Sequence, residues 1–197
     1  IYQAVLRENS ALDFDDLLLL PVKTLRENPR LREDYADRFR YLLVDEYQDT
    51  NAVQYELTKL LGEQHRNVCV TGDPDQSIYS WRGADIGNIL NFERDFPETR
   101  VVVLGQNYRS SKTIVSAADK LVRNNLQRKH KDLHTENDEG SPIRVILTQN
   151  ETHEGLKVAE VIRDLVEHEG LDYGDMAVFY RTNAQSRALE TALRDNG

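Results

Sequence analysis

The sequence predicts an α/β protein with a largely parallel sheet, and two observations carry that prediction. Short apolar runs rich in Val and Ile recur at 41–44, 68–70, 101–104, 143–147 and 176–180, each bounded by polar or turn-forming residues as buried strands are. Segments of helical periodicity separate them, the alternation expected of parallel strands joined by crossover helices.

Taken in order, Asp13 is a plausible N-cap for a helix carrying Phe14, Leu17 and Leu18 on one side, with Asp15 and Asp16 favourable in its first turn. Pro21 is expected to kink or end that helix, since it lacks an N–H and its ring crowds the preceding turn. Further helical patterns run over 51–61, 86–95, 112–123 and 184–194, and Ser110 or Ser111 is the candidate cap of the third of these. The clearest pattern spans 152–169, where Leu156, Ala159, Ile162, Leu165 and Val166 form one apolar stripe and Glu160, Arg163, Asp164 and Glu167 face outward, as on a helix with one buried face. The stretch 123–142 is polar, holds Gly140-Ser141-Pro142 as a breaker and reads as a surface excursion inside the second half rather than a domain linker.

The bulk properties bound the function. A chain of 197 residues makes one large domain or two small ones. Its longest purely aliphatic run, Leu17 to Leu20, is far shorter than the roughly 20 apolar residues that cross a bilayer, so no membrane partner and a cytoplasmic location are expected. The single cysteine, Cys69, excludes an internal disulfide and is expected to be a small buried thiol. The net charge of -9 argues against a generally basic nucleic-acid binder, though single strands are also held by aromatic stacking. Five histidines show no zinc spacing with Cys; His130 and His134 are four apart but lie among Arg128, Lys129 and Lys131, the setting of a solvated loop or helix end.

Three constellations carry chemistry. The first is Val44-Asp45-Glu46, an apolar run that ends in two adjacent carboxylates. Parallel sheets place ligands at such carboxyl ends, and Asp45 and Glu46 there suit a hydrated Mg²⁺ and a water beside a nucleoside triphosphate; an isolated Asp-Glu pair also fits a solvated turn. The second runs from Gly72 to Ala84, where Asp73-Pro74-Asp75 sets a rigid turn projecting Gln76, a neutral amide able to sense a terminal phosphate. Tyr79, Trp81 and Arg82 follow, an aromatic and guanidinium platform for unpaired bases. The third is Asn107-Tyr108-Arg109-Ser110, with an arginine after a turn and before a helix, placed to neutralise charge on a transferred phosphoryl group.

In this order and spacing, Leu43 to Asn51, Gly72 to Ala84 and Asn107 to Ser110 resemble the UvrD/Rep/PcrA group of superfamily 1 DNA helicases, with supporting matches at Asp13 to Leu18 and Tyr180 to Arg187. The resemblance implies RecA-like parallel sheets flanked by helices, as parts of two tandem motor domains, 1–105 and 106–197, with ATP and Mg²⁺ as cofactors. It implies that Asp45 and Glu46 hold the metal and activate water, that Gln76 and Arg109 face the γ-phosphate, and that Tyr108 lies near the nucleotide. Tyr79, Trp81 and Arg82 are implied to contact single-stranded DNA, with Arg181 and Asn183 as further strand contacts. Such helicases translocate 3′ to 5′ and unwind duplex junctions, in repair or replication.

One departure limits the expectation. None of the ten glycines is followed by Lys, so the Gly-Lys-Thr or Gly-Lys-Ser phosphate loop of the family is absent, as are its later motifs. With Ile1 as the first residue, the chain is expected to be an internal piece of a longer helicase, inactive alone and completed by the remaining parts of the same chain. A naturally truncated DNA-binding module and a helicase subunit of a recombination nuclease stay open as alternatives.

Overall fold

In the computed structural model, which describes residues 1–126, 128–129 and 131–196, the chain divides into two compact units, Ile1–Ser141 and Pro142–Gly197. The break falls at the Gly140-Ser141-Pro142 breaker.

The first unit opens with three helices, α1 (Tyr2–Glu8), α2 (Asp16–Glu27) and α3 (Pro29–Arg38). Asp13 caps as expected in function if not in position: its Oδ1 accepts the Asp16 N–H at 2.8 Å and the Asp16 carboxylate accepts the Asp13 N–H at 3.3 Å. Pro21 lies inside α2, so of the two expected outcomes, a kink or an end, the helix does not end there. The helix loses one backbone hydrogen bond at this point and is held by packing, because Val22 and Leu25 are buried against Leu60 of α4 (Ala52–Gly62).

The α4 helix starts on a reciprocal cap. Asn51 Oδ1 accepts from the N–H groups of Val53 and Gln54, both at 3.0 Å, and Gln54 Oε1 accepts from the Asn51 N–H at 2.9 Å. Asn51→Ala is expected to lower stability by about 1 kcal/mol, the usual cost of losing such a cap, measured as a shift in the denaturant midpoint without a change in slope.

Strands β1 (Leu42–Val44) and β2 (Val68–Val70) pair in parallel, with Leu42 opposite Val68, Leu43 opposite Cys69 and Val44 opposite Val70. Alternation places Val44, Val68 and Val70 on one face, against the buried cluster of Tyr47, Phe92 and Phe96. Leu43, 81% exposed, and Cys69 occupy the open face. The expected buried thiol is therefore an exposed one, because the period of two turns Cys69 away from its apolar neighbours.

Three other strand-like runs are not strands among the described residues. The run 101–104 stands across a cleft of about 400 Å³ from β2, lined by Val70, Thr71, Ile89 and Phe92, so its backbone does not reach the ladder. The runs 143–147 and 176–180 lack ladder partners, and Val145, Leu147 and Phe179 stand exposed. Apolar alternation marks a segment suited to a sheet, but a strand exists only where a neighbour takes its hydrogen bonds.

The helical pattern at 86–95 resolves into two short helices, α5 (Gly87–Leu90) and α6 (Phe92–Asp95), interrupted at Asn91. The helix α7 (Lys112–Val122) follows, with Ser111 at its N-cap position but no side-chain bond. Polar side chains of the stretch 123–142 fold back onto the turn at 73–75. His130 lies outside the described residues, while His134 makes an isolated parallel bridge with Gln106.

The second unit is built on α8 (Glu151–Glu169) and α9 (Asn183–Asp195). Asn150 caps α8 by accepting the His153 N–H at 2.9 Å, and Gly155 and Ala159 are buried on its inner face. A Cβ on Gly155 would stand 2.9 Å from both Ala188 O and Ala192 Cβ, so the two helices touch along small residues. Among the described residues no helix is long and apolar enough to cross a membrane.

Candidate nucleotide and strand-contact site

Parallel pairing of β1 with β2 sets the two key loops side by side. The Thr71 N–H donates to Val44 O at 2.9 Å and the Tyr47 N–H donates to Thr71 O at 2.9 Å, which extends the ladder past both strand ends and brings Asp45 beside Thr71. The Thr71 hydroxyl and the Glu46 N–H, the latter at 2.9 Å, both donate to Asp45 Oδ1. These two donors, the hydroxyl foremost, hold the Asp45 carboxyl below its ordinary pKa, because each favours the ionised form. An exposed, ionised carboxylate at a strand end is a fitting ligand for a hard, partly hydrated divalent cation.

Glu46 is held in the left-handed region at φ 51°, ψ 42°, which turns its side chain out of the strand line. Its Oε2 accepts from Gln48 Nε2 at 2.7 Å. Gln48 is 1% exposed, and its Oε1 accepts the Asp73 N–H at 3.0 Å while its backbone oxygen accepts the Ser77 hydroxyl at 3.3 Å. A single buried amide therefore orients the Glu46 carboxylate and fastens it to the loop that carries Gln76. Gln48 was not among the residues the sequence singled out. Its signal, a polar residue among turn residues, says nothing of a partner 25 positions away.

The fastening dictates Gly72. A Cβ there would lie 2.4 Å from Gln48 Oε1, 2.9 Å from Ile89 Cδ1 and 3.1 Å from the Tyr47 nitrogen. Beneath it Tyr47, 1% exposed, packs edge-on against Phe92 with ring centroids 5.6 Å apart. Burial pushes the Tyr47 phenol up to about 12, so it stays neutral in the core.

Gln76 follows a short turn in which Asp73 accepts the Asp75 N–H at 3.0 Å and the Gln76 Nε2 at 2.8 Å. One N–H of the amide is thus used internally. The side chain is exposed, and its carbonyl oxygen and second N–H remain for a phosphate or water.

The aromatic platform lies just beyond. Trp81 is 70% exposed and so is not a core aromatic. The Arg82 guanidinium sits 5.3 Å from the Tyr79 ring centroid and 4.6 Å from that of Trp81, and such cation–π contacts stiffen a surface otherwise free to move. The platform is rooted next to the acidic turn: Asp85 N–H donates to Thr50 O at 3.0 Å, and Asn88 Nδ2 donates to the same oxygen at 3.0 Å. Thr50 in turn donates its hydroxyl to Tyr47 O at 2.7 Å.

Asn107 organises the third constellation by accepting the Arg109 N–H at 2.9 Å and the Ser110 N–H at 2.7 Å. Tyr108 and Arg109 are exposed, and the Tyr108 hydroxyl donates to Gln106 Oε1 at 2.9 Å. Among the described residues no hydrogen bond or ion pair joins Arg109 to Asp45, Glu46 or Gln76. Arg181 and Asn183 lie exposed in the second unit, where the Arg181 N–H is taken by Gln185 Oε1 at 2.9 Å. Among the described residues no group of three or more His, Cys, Asp and Glu is arranged around a metal position.

Comparison with known proteins shows the family of the chain. Residues 1–97 match the family described as the UvrD/REP helicase N-terminal domain, and residues 102–197 match the UvrD-like helicase C-terminal domain. The chain is 50% identical to an ATP-dependent DNA helicase PcrA of Staphylococcus aureus over 199 aligned residues, covering 99% of this chain and 27% of that protein. It is 50% identical to the helicase of the same name in Bacillus subtilis over 196 residues, covering 100% of this chain and 26% of the relative. A Staphylococcus epidermidis PcrA is 47% identical over 198 residues, again 99% of this chain and 27% of the relative. The chain thus spans about a quarter of the length of these curated relatives. With both domain families matched in order along almost its whole length, the chain belongs to the UvrD/Rep helicase family.

Proposed function

We propose that this chain supplies the hydrolytic carboxylates and the single-strand platform of an ATP-dependent DNA helicase with RecA-like motor domains. The observation that carries the proposal is the bond pattern of Gln48, which ties Glu46 to the backbone of the Gln76 loop. An amide that holds a general base at one end and a phosphate-sensing loop at the other suits a reaction catalysed by positioning and electrostatics.

In this reading Asp45 would hold Mg²⁺, which when bound would neutralise phosphate charge. Glu46 accepts a proton from the attacking water through its carboxylate, oriented by Gln48. Gln76 meets the γ-phosphate with its free N–H and carbonyl oxygen. Arg109 approaches the same charge from its own loop, with Tyr108 beside the nucleotide. Tyr79, Trp81 and Arg82 stack on single-stranded DNA, and Arg181 and Asn183 add strand contacts from the second unit. Movement is 3′ to 5′ with unwinding of duplex junctions, serving repair or replication. The phosphate-cradling loop is not in this sequence, so the chain alone is expected to have no significant ATPase activity.

A second reading, a strand-binding module without motor activity, is favoured by one observation. Tyr79, Trp81 and Arg82 stand together on this chain. One experiment addresses strand binding in both readings. Trp81 is the only tryptophan, so its emission is expected to be quenched on titration with an oligothymidylate, with an affinity that falls as salt rises. Trp81→Ala is expected to weaken binding of a labelled oligonucleotide by roughly 1–3 kcal/mol. Unchanged emission together with salt-independent, Trp81-independent binding removes the platform assignment. Hydrolysis of ATP by the protein encoded by the complete reading frame separates the motor from the module.

A further inference from the structure

The polar stretch after α7 touches both halves of the proposed reaction site. At its start, Asn125 Nδ2 donates to Asp75 Oδ1 at 3.0 Å, Arg128 pairs with Asp75 at 3.2 Å, and Lys131 pairs with Asp75 at 3.3 Å and with Asp73 Oδ1. These are sheltered groups: the side chains of Asp75, Arg128 and Lys131 are 4%, 14% and 15% exposed. Asp73 is the carboxylate whose other oxygen holds the Gln76 amide.

A few residues later the same stretch grips the arginine loop. His134 O accepts the Asn107 N–H at 2.7 Å, and the His134 N–H donates to Gly105 O at 3.1 Å. Asn137 Nδ2 donates to Tyr108 O at 3.3 Å and to Ser110 O at 3.1 Å, bracketing Arg109. The Lys112 N–H closes the loop onto Asp138 O at 3.0 Å.

We propose that the strap from Lys131 to Asn137 is a tie that positions Gln76 and Arg109 relative to each other, with Lys131 the positioning residue at the Gln76 end. This rests on the helicase reading given above. The physical case is that Asp73 serves three donors at once. Burial works to raise its pKa, but the Lys131 ammonium, the Gln76 amide and the Asp75 N–H outweigh that effect and hold it below the ordinary value. With Lys131 removed, a half-buried carboxylate loses its charge partner, and the Gln76 amide is left on an acceptor that shifts or takes up a proton. An exposed ion pair would carry no such consequence. The strap's backbone bonds then transmit the displacement to Asn107, and so to Arg109, because the seven residues from Lys131 to Asn137 are anchored at both ends.

The test uses the protein encoded by the complete reading frame. Lys131→Met is expected to lower the kcat of DNA-stimulated ATP hydrolysis by about tenfold, the size of a moderate coupling, with KM for ATP within about twofold, and Lys131→Arg is expected to restore most of it. Hydrogen exchange is expected to quicken together in peptides covering 73–77 and 105–111. Asn137→Ala, which cuts the other end and leaves Asp73 alone, is expected to quicken exchange in the same two peptides and keeps the idea testable where Lys131→Met does not fold. An active wild type with kcat unchanged in Lys131→Met, or exchange that quickens only at the mutated end, overturns the tie. A wild type without ATPase activity refutes the helicase reading instead, and the exchange comparison still decides the tie.

Discussion

Glu46→Gln, in the protein encoded by the complete reading frame, is expected to reduce ATP turnover by about 10²–10⁴-fold, the usual contribution of a positioned general base, while nucleotide binding is retained. The substitution keeps the shape and removes the proton acceptor. It also leaves a polar atom for Gln48 Nε2, which now bonds Glu46 Oε2 at 2.7 Å, so the loop that carries Gln76 should stay in place. Measurement of kcat beside the affinity for a non-hydrolysable analogue checks both halves. Full turnover in the variant removes Glu46 from the role of base; loss of binding together with turnover would mean that the carboxylate acts mainly through structure or metal.

Gly72→Ala is expected to be the most damaging change outside the reacting groups. The new Cβ meets Gln48 Oε1 at 2.4 Å and the Tyr47 nitrogen at 3.1 Å, and neither has room to retreat. Gln48 is buried and bonded at both ends, and Tyr47 N–H is committed to Thr71 O. Overpacking of this kind costs about 1–3 kcal/mol, and relief by expelling Gln48 would free the Glu46 carboxylate from the Asp73 loop. The expected result is a lower melting temperature with turnover reduced beyond what the unfolded fraction explains. A variant as stable and active as the parent would show that the close approach at Gly72 has no bearing on the site.

What the sequence revealed and concealed divides along a physical line. Asp45, Glu46 and Gln76 could be named as candidates from sequence because their chemistry follows from residue type and from their place after an apolar run. The platform of Tyr79, Trp81 and Arg82 was legible for the same reason, and its exposure agrees with that reading. Gln48, Asn88 and Lys131 were not, since each acts through a partner distant in sequence: Asp73 for Gln48, Thr50 for Asn88, Asp73 again for Lys131. The runs 101–104, 143–147 and 176–180 carry strand-like sequence, yet pairing depends on a neighbour that local pattern does not specify. Cys69 shows the same limit on a smaller scale, because composition suggested burial and the register of one strand decided otherwise.

The left-handed backbone at Glu46 has an evolutionary corollary. A side chain other than Gly, Asn or Asp in that region is held at a cost of about 1–3 kcal/mol, so drift toward a more robust fold would favour replacing this residue. In the proposed reading the same residue is the one the reaction cannot lose. Position 46 is therefore where selection for durability and selection for turnover pull in opposite directions, and a library screened for thermal tolerance alone should accumulate inactive members there first.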